Sequence, residues 1–134
     1  MPLFIWKPSY ETGIAEIDHD HRQLVGIINE LYEAIKEGHG RDAKGQSIDR
    51  LLDYVNQHFQ TEASFMRVYG YPQRETHEQE HQLLQQTVVK MERQRRAGDT
   101  LLATELLTFL CDWLRNHVIT ADKELGVYLK KARA

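Results

Sequence analysis

The sequence predicts an all-α protein: an up-down-up-down antiparallel four-helix bundle with an irregular N-terminal arm and a short C-terminal helix. Two observations carry this prediction. Apolar residues recur at steps of three and four in four long segments, which is the helical period. Three short breaks separate those segments: Gly38 with Gly40, Gly70 with Pro72, and Gly98 with Asp99. Because the breaks are short, neighbouring helices are expected to run antiparallel.

The first two helices are predicted over residues 18–37 and 42–69. Each has one stripe of apolar side chains that would face the core. The stripes consist of Ile17, Leu24, Ile28, Leu31 and Ile35, and of Ile48, Leu51, Val55, Phe65 and Tyr69. His21 occupies a gap in the first stripe, and His58 and Glu62 occupy two gaps in the second.

The third helix is predicted over residues 73–97 and the fourth from Asp99 or Thr100 onward. Two starts are open for the third: Pro72 suits a first helical turn, and Thr76 with Gln79 suits a capping box. The two stripes consist of His77, His81, Leu84, Val88 and Met91, and of Leu102, Leu106, Phe109, Trp113 and His117. Residues 125–131 either extend the fourth helix or form a short fifth one, and the arm precedes Ile17.

The composition is that of a water-exposed globular domain. The chain has 134 residues, which suits one domain over residues 1–134 with a single core. The net charge of −3 gives no reason to expect nucleic acid or an anionic membrane as a partner. No apolar run approaches the ~20 residues that span a bilayer, so membrane insertion is not expected. The N-terminus resembles no signal peptide, and Cys111 has no second cysteine to pair with, so a cytoplasmic location is expected.

Seven polar side chains on or beside the apolar stripes point to one metal site. They are His21, His58, Glu62, His77, His81, His117 and Asp122. In an antiparallel bundle, all of these positions meet at the same end. A protein interior does not accept that many polar groups without compensation, and a metal cluster would supply it. The pairs His58–Glu62 and His77–His81 are four residues apart, which places both members on one helix face.

The spacing of His117 and Asp122 is unusual for a shared face. They are five residues apart, which is about 140° of rotation on a regular α-helix. Either the helix bends or ends between Val118 and Ala121, or Asp122 approaches the site from the side. We expect a distortion of the helix there.

The ligand types limit the choice of metal. Imidazole with carboxylate suits iron, zinc, copper or manganese, and no cysteine takes part. Five histidines and two carboxylates are too many for one ion. Two ions with about six ligands each would use all seven side chains. If both carboxylates and an oxide or hydroxide bridged the ions, one position would remain open for a small ligand.

These motifs resemble those of the hemerythrins, most closely the bacterial ones, over nearly the whole chain from Trp6 to about Leu129. The run Ile17 to Leu24 is similar to the first-helix motif of the family, in which the histidine ahead of Arg-Gln-Leu is a ligand. The HxxxE, HxxxH and HxxxxD motifs are matched by His58 with Glu62, His77 with His81, and His117 with Asp122.

The resemblance implies a function, a cofactor and a role for each ligand. It implies reversible dioxygen binding by a carrier, store or delivery protein, not an enzyme. Two non-haem iron ions would share an oxide or hydroxide bridge. His77, His81 and His117 would bind one ion, His21 and His58 the other, and Glu62 and Asp122 both. Dioxygen would bind the second ion in a pocket lined by Leu24, Phe59, Trp113, Leu114 and Val118.

Two alternatives remain open. Di-iron redox enzymes of the ferritin-like type use four carboxylates, two histidines and paired Glu-x-x-His motifs. This chain has the reverse balance and one such spacing, Glu78 to His81. An oxygen or redox sensing module is the other alternative, although no appended signalling domain is evident. The sequence identifies no partner enzyme that would use the oxygen. His19 and His39 are expected to be exposed. Cys111 is assigned no role.

Overall fold

The computed structural model describes residues 3–98 and 101–133, and it confirms the predicted four-helix bundle. The helices are α1 (Ala15–Lys36), α2 (Gly40–Val68), α3 (Arg74–Ala97), α4 (Ala103–Trp113) and α5 (Asp122–Arg133). A π-helical segment, Leu114–Ala121, joins α4 to α5, and a 3₁₀ turn, Pro8–Tyr10, lies in the arm. None of the helices in these two ranges is long and apolar enough to cross a bilayer.

Two of the predicted breaks are built by glycine in the left-handed region. Gly38 has φ +82° and Gly70 has φ +63°, and each directly follows the C-cap residue of a helix. The N–H of the next residue returns to a helix carbonyl, His39 to Ala34 at 2.7 Å and Tyr71 to Met66 at 2.9 Å. This is the Schellman pattern, which glycine favours because it has no Cβ.

The remaining predicted boundaries differ in detail. The helix α3 begins at Arg74, between the two predicted starts, so Thr76 lies in its first turn and forms no capping box. The predicted start of the fourth helix at Asp99 or Thr100 falls outside the described residues, and α4 begins at Ala103. The C-terminal segment forms a helix of its own, α5, because the π segment separates it from α4.

The core consists of two apolar clusters with a polar layer between them. The larger cluster includes Leu24 of α1 and Val55 of α2, and the smaller one includes Ile17 and Met66 of the same helices. Along both helices the candidate ligands lie between these apolar residues. The helix α1 packs against α2 and α4, and α2 also packs against α3 and α4.

The N-terminal arm is irregular and packs on the bundle, as predicted. Phe4 packs against the larger cluster, and its N–H and carbonyl bond the amide of Asn29, each at 2.8 Å. Nearer to α1, the buried carboxylate of Asp18 accepts bonds from the N–H and hydroxyl of Thr12, at 2.7 and 2.8 Å. It also accepts the N–H of Gly13 at 3.1 Å. These bonds fix the arm to the end of the bundle that holds the polar layer.

Candidate metal centre

The bundle brings all seven predicted side chains together in its interior. Each is at most 4% exposed. Their nitrogen and oxygen atoms fall into two groups, within each of which the atoms lie within 4.8 Å of one another. The three-histidine group contains His77, His81 and His117, and the two-histidine group contains His21 and His58. Glu62 and Asp122 belong to both groups, so the two groups are joined through carboxylates.

Glu62 faces the two groups with different oxygens. Its Oε1 lies 2.8 Å from Nε2 of His77 and 3.0 Å from Nε2 of His81. Its Oε2 lies 2.7 Å from Nε2 of His58. Because the carboxylate is shared in this way, Glu62 can reach two cations at once.

Asp122 is divided between the groups in the same manner. Its Oδ1 lies 2.9 Å from Nε2 of His77 and 3.0 Å from Nε2 of His117. Its Oδ2 lies 2.7 Å from Nε2 of His21. The two carboxylates therefore span the two groups from α2 and from the start of α5.

The π segment explains how Asp122 reaches the same face as His117. The backbone N–H of Asp122 donates to the carbonyl of His117, five residues earlier, whereas in an α-helix it would donate to the carbonyl four residues earlier. The wider turn brings residues five apart onto one face. The predicted distortion is confirmed, and it begins at Leu114, earlier than the predicted region from Val118 to Ala121.

The side-chain atoms at the centre fit a cation better than they fit one another. Among the buried atoms of the described residues that lack a hydrogen-bond partner are Nε2 of His58, Oε2 of Glu62 and Oδ1 of Asp122. His58 Nε2 and Glu62 Oε2 are only 2.7 Å apart, yet they form no hydrogen bond. An unsatisfied buried polar group costs about 1–3 kcal/mol, which a metal ion would offset. Imidazole nitrogen with carboxylate oxygen is a donor set that iron accepts.

The two central carboxylates remain ionised. Burial and the charge of Asp122 act to raise the pKa of Glu62, but His58 and His21 together hold it well below its usual value. Burial likewise acts to raise the pKa of Asp122, and His117, His21 and His58 hold it well below its usual value. Two buried negative charges are therefore available to balance metal cations.

The histidines are protonated unequally in the metal-free cluster. Burial acts to lower the pKa of His77, but its close contacts with the carboxylates of Asp122 and Glu62 raise that pKa to about 10. The pKa values of His21 and His58 are also raised against burial by contacts with the carboxylates. Burial lowers the pKa of His81. Metal binding would therefore release protons, since a coordinating imidazole gives up its proton at the metal-binding nitrogen.

Sequence reasoning missed three residues that hold the cluster from outside. Nδ1 of His58 lies 3.0 Å from Oδ2 of Asp20, and Nδ1 of His117 lies 2.9 Å from Oε2 of Glu80. The ring of Tyr54 stacks on His58 at 5.0 Å. One signal was available, because metal-binding histidines commonly donate their other N–H to a carboxylate. It does not by itself select a residue on another helix.

The five residues predicted to line an oxygen pocket lie in or against the larger apolar cluster. Leu24, Leu114 and Val118 are fully buried. Phe59 stacks on His81 with ring centroids 3.8 Å apart, and Trp113 stacks on His117 at 4.1 Å. The aromatic pair thus covers the three-histidine group. His19 and His39 are exposed, as expected.

The family model described as the hemerythrin HHE cation binding domain matches residues 12–129, which is most of the chain. The chain belongs to the hemerythrin family. This agrees with the resemblance of its motifs, and it places the buried histidine and carboxylate cluster in a family of cation-binding domains.

Alignments with similar proteins span almost the whole of this chain. It is 33% identical to a bacteriohemerythrin of Stenotrophomonas maltophilia over 130 residues, 97% of this chain and 84% of the relative. It is 29% identical to a bacteriohemerythrin of Methylococcus capsulatus over 127 residues, 94% and 96% of the two chains. The crystal structure of a wild-type hemerythrin superimposes with a TM-score of 0.84 at 29% identity, covering 95% of this chain and 98% of the other.

Proposed function

We propose that this hemerythrin binds dioxygen reversibly at a pair of non-haem iron ions, as an oxygen carrier, store or delivery protein. The observation that carries the proposal is the pair of buried ligand groups, with three and two histidines, joined by Glu62 and Asp122. Family membership and the bacteriohemerythrin relatives support it.

In the proposed centre each residue has a defined role. His77, His81 and His117 would hold one iron, and His21 and His58 would hold the other. Glu62 and Asp122 would be shared by both ions. The ion held by two histidines would have fewer protein ligands and therefore room for a small ligand. Ferrous iron would supply the electrons that dioxygen accepts on binding and returns on release.

The protein's own contribution is to keep the centre dry. Leu24, Leu114 and Val118 are fully buried and apolar. The rings of Phe59 and Trp113 cover two of the histidines. Excluding water and protons favours release of oxygen as oxygen and limits irreversible oxidation of the metal.

A binding role is favoured over catalysis by the placement of the nearby carboxylates. Asp20 and Glu80 each form a hydrogen bond to the outer nitrogen of a histidine. Both are thus engaged in holding the rings, and neither is assigned as a general acid or base.

The assignment of residues 1–134 to one domain and the cytoplasmic location stay predictions.

The test is anaerobic reduction of the iron-loaded protein, followed by exposure to air under visible spectroscopy, with metal analysis of the same sample. We expect two irons per chain and a colour change that removal of oxygen reverses. Irreversible bleaching with turnover of added reductant would favour a redox enzyme. One iron or none per chain would contradict the proposal.

The ligand assignment has its own test. Because His77 lies within reach of both central carboxylates, His77→Ala is expected to lower the iron content per chain. His39 is exposed at the start of α2, so His39→Ala is a matched control that keeps two irons. Equal iron contents in the two variants would show that the ligand set is wrong.

A further inference from the structure

Two short sequences in this chain have the same construction. In Asp20–His21 of α1 and Glu80–His81 of α3, a carboxylate directly precedes a histidine of the cluster. Successive residues on a helix point about 100° apart. The histidine therefore faces the interior while the carboxylate lies at the edge of that face, beside a neighbouring helix.

Each of these carboxylates meets a histidine of that neighbouring element. Asp20 Oδ2 lies 3.0 Å from Nδ1 of His58, and Glu80 Oε2 lies 2.9 Å from Nδ1 of His117. His21 and His58 belong to the two-histidine group, and His81 and His117 to the three-histidine group. Each carboxylate–histidine sequence therefore serves one group, once through its histidine and once through its carboxylate.

The two contacted rings are also held in the same way on their faces. Tyr54 stacks on His58 with an interplanar angle of 12°, and Trp113 stacks on His117 with an angle of 14°. Stacking fixes the plane of an imidazole but leaves rotation within that plane. A carboxylate at Nδ1 removes this remaining freedom and directs Nε2 into the cluster.

We propose that Asp20 and Glu80 are positioning residues, each of which orients one metal-binding histidine and strengthens it as a donor to one of the two metal ions. An ionised carboxylate only accepts hydrogen bonds, so Nδ1 of each histidine donates and Nε2 is left for the metal. A carboxylate in this position also increases the basicity of the ligand. The inference rests on the proposed function only in requiring that the cluster bind metal.

The contact at Asp20 is the more shielded of the two. The Asp20 side chain is 14% exposed and that of Glu80 is 42% exposed. Charge interactions weaken as solvent approaches. Loss of Asp20 is therefore expected to have the larger effect.

The experiment is an anaerobic titration of the metal-free full chain with ferrous iron against a competing chelator. Asp20→Leu is expected to lower the affinity for one of the two ferrous ions by about 10–100-fold and to leave the affinity for the other unchanged. Glu80→Leu is expected to lower the affinity for the other ion by a smaller factor. Asp20→Asn, which keeps an acceptor without the charge, gives an intermediate value. Asp49→Asn, on the exposed side of α2, is the matched control with two ions bound as in the parent.

Three further measurements separate positioning from a merely structural role. Mössbauer spectra of protein loaded with iron-57 are expected to change for one iron environment only in each leucine variant. The midpoint potential of Asp20→Leu is expected to move to a more positive value, because a weaker donor stabilises ferric iron less. Urea unfolding of the metal-free variants reports any loss of fold.

The outcomes distinguish this inference from the proposed function. The inference is overturned if Asp20→Leu and Glu80→Leu have the same iron affinities and midpoint potentials as the parent. It is also overturned if a variant binds both ions equally more weakly and unfolds at a lower urea concentration. If the parent binds two irons but no oxygen reversibly, the proposed function fails and the titration still decides the inference. A parent that binds no metal overturns both.

Discussion

The backbone N–H of Asp122 donates to the carbonyl oxygen of His117, five residues earlier in the chain. This bond belongs to the π segment that connects α4 to α5, and it turns a five-residue spacing into a shared face. The carboxylate of Asp122 thereby reaches histidines of both groups. The length of the segment between these two residues is therefore a variable that can be tested.

Removing one residue from the π segment is expected to preserve the metal centre. Without Thr120, which is exposed, the aspartate would follow His117 by four residues, and a regular α-helix places such residues on one face. Removing Ile119, Thr120 and Ala121 together would place the aspartate two residues after His117, about 200° around a regular helix and therefore on the opposite face. Metal analysis should give two irons per chain for the single deletion and fewer for the triple deletion.

Thr120→Ala is the control for the deletions. It removes the hydrogen bond from the Thr120 hydroxyl to the backbone carbonyl of Arg115 but keeps the length of the π segment. It should bind two irons. If the single deletion loses metal as completely as the triple deletion, the π segment has a role other than placing His117 and the aspartate on one face.

The stability of the metal-free protein should fall on both sides of weakly acidic pH. The lowered pKa values of Glu62 and Asp122 stabilise the fold above their ordinary values of 4.5 and 3.8, and this stability is lost as the pH falls. The raised pKa of His77 stabilises the fold below 6.5, and this stability is lost as the pH rises through about 10. Urea midpoints measured with chelator present should therefore be highest between about pH 4.5 and 6.5.

Iron should change this profile in a defined way. Coordinated histidines have already released a proton, so the alkaline loss of stability should disappear, while protons should still compete with the metal at acid pH. A urea midpoint of the metal-free protein that stays constant from pH 6.5 to 10 would contradict the protonation of His77.

Phe59 should protect the loaded centre from irreversible oxidation. Its ring lies flat on His81, with centroids 3.8 Å apart and an angle of 2°. Phe59→Ala is expected to destabilise the protein by about 2 kcal/mol, less than for a fully buried phenylalanine, and to admit water. The rate of bleaching in air, followed by visible spectroscopy, should rise.

Phe65→Ala provides the comparison, because Phe65 lies on the same helix but packs against the smaller apolar cluster. It should lower the urea midpoint without changing the bleaching rate. Equal acceleration by both variants would mean that loss of stability, and not loss of the ring over His81, admits the water.

Gly126 should be needed for the contact between α5 and the N-terminal arm. A Cβ at this position would lie 2.5 Å from the carbonyl oxygen of Thr12, whose backbone is held by Asp18. Gly126→Ala is therefore expected to cost about 1–3 kcal/mol in urea unfolding. Gly26→Ala, where the new methyl group would meet nothing within 4 Å beyond its own turn of helix, should stabilise by about 0.5–1 kcal/mol. A stabilising Gly126→Ala would contradict the contact.

Much of the fold could be predicted because local chemistry marks it. The apolar stripes around Leu24 and Val55 gave the buried faces of α1 and α2, and Gly38 and Gly70 end those helices in the left-handed conformation. Antiparallel connections then required the candidate ligands to meet at one end. The start of α3 could not be fixed, because Pro72 and Thr76 are both compatible with a first turn, whereas the helix begins between them at Arg74.

The contacts between helices at the site were beyond the sequence pattern. Asp20 and Glu80 are each adjacent to a ligand in the chain, but they act on His58 and His117 of other elements. Which neighbouring ring a carboxylate meets depends on the relative rotation and height of two packed helices. Periodicity within one helix contains neither quantity.

The sequence by itself determined that the chain forms a helical bundle and that histidines and carboxylates interrupt its apolar faces, because both follow from the spacing of residues along a single helix. Only the tertiary structure decided that Glu62 and Asp122 each present one oxygen to each group of histidines. That division depends on where α2 and the π segment lie relative to α1 and α3. A π turn costs regular helical bonding, and it persists here where it places a buried carboxylate among the histidines.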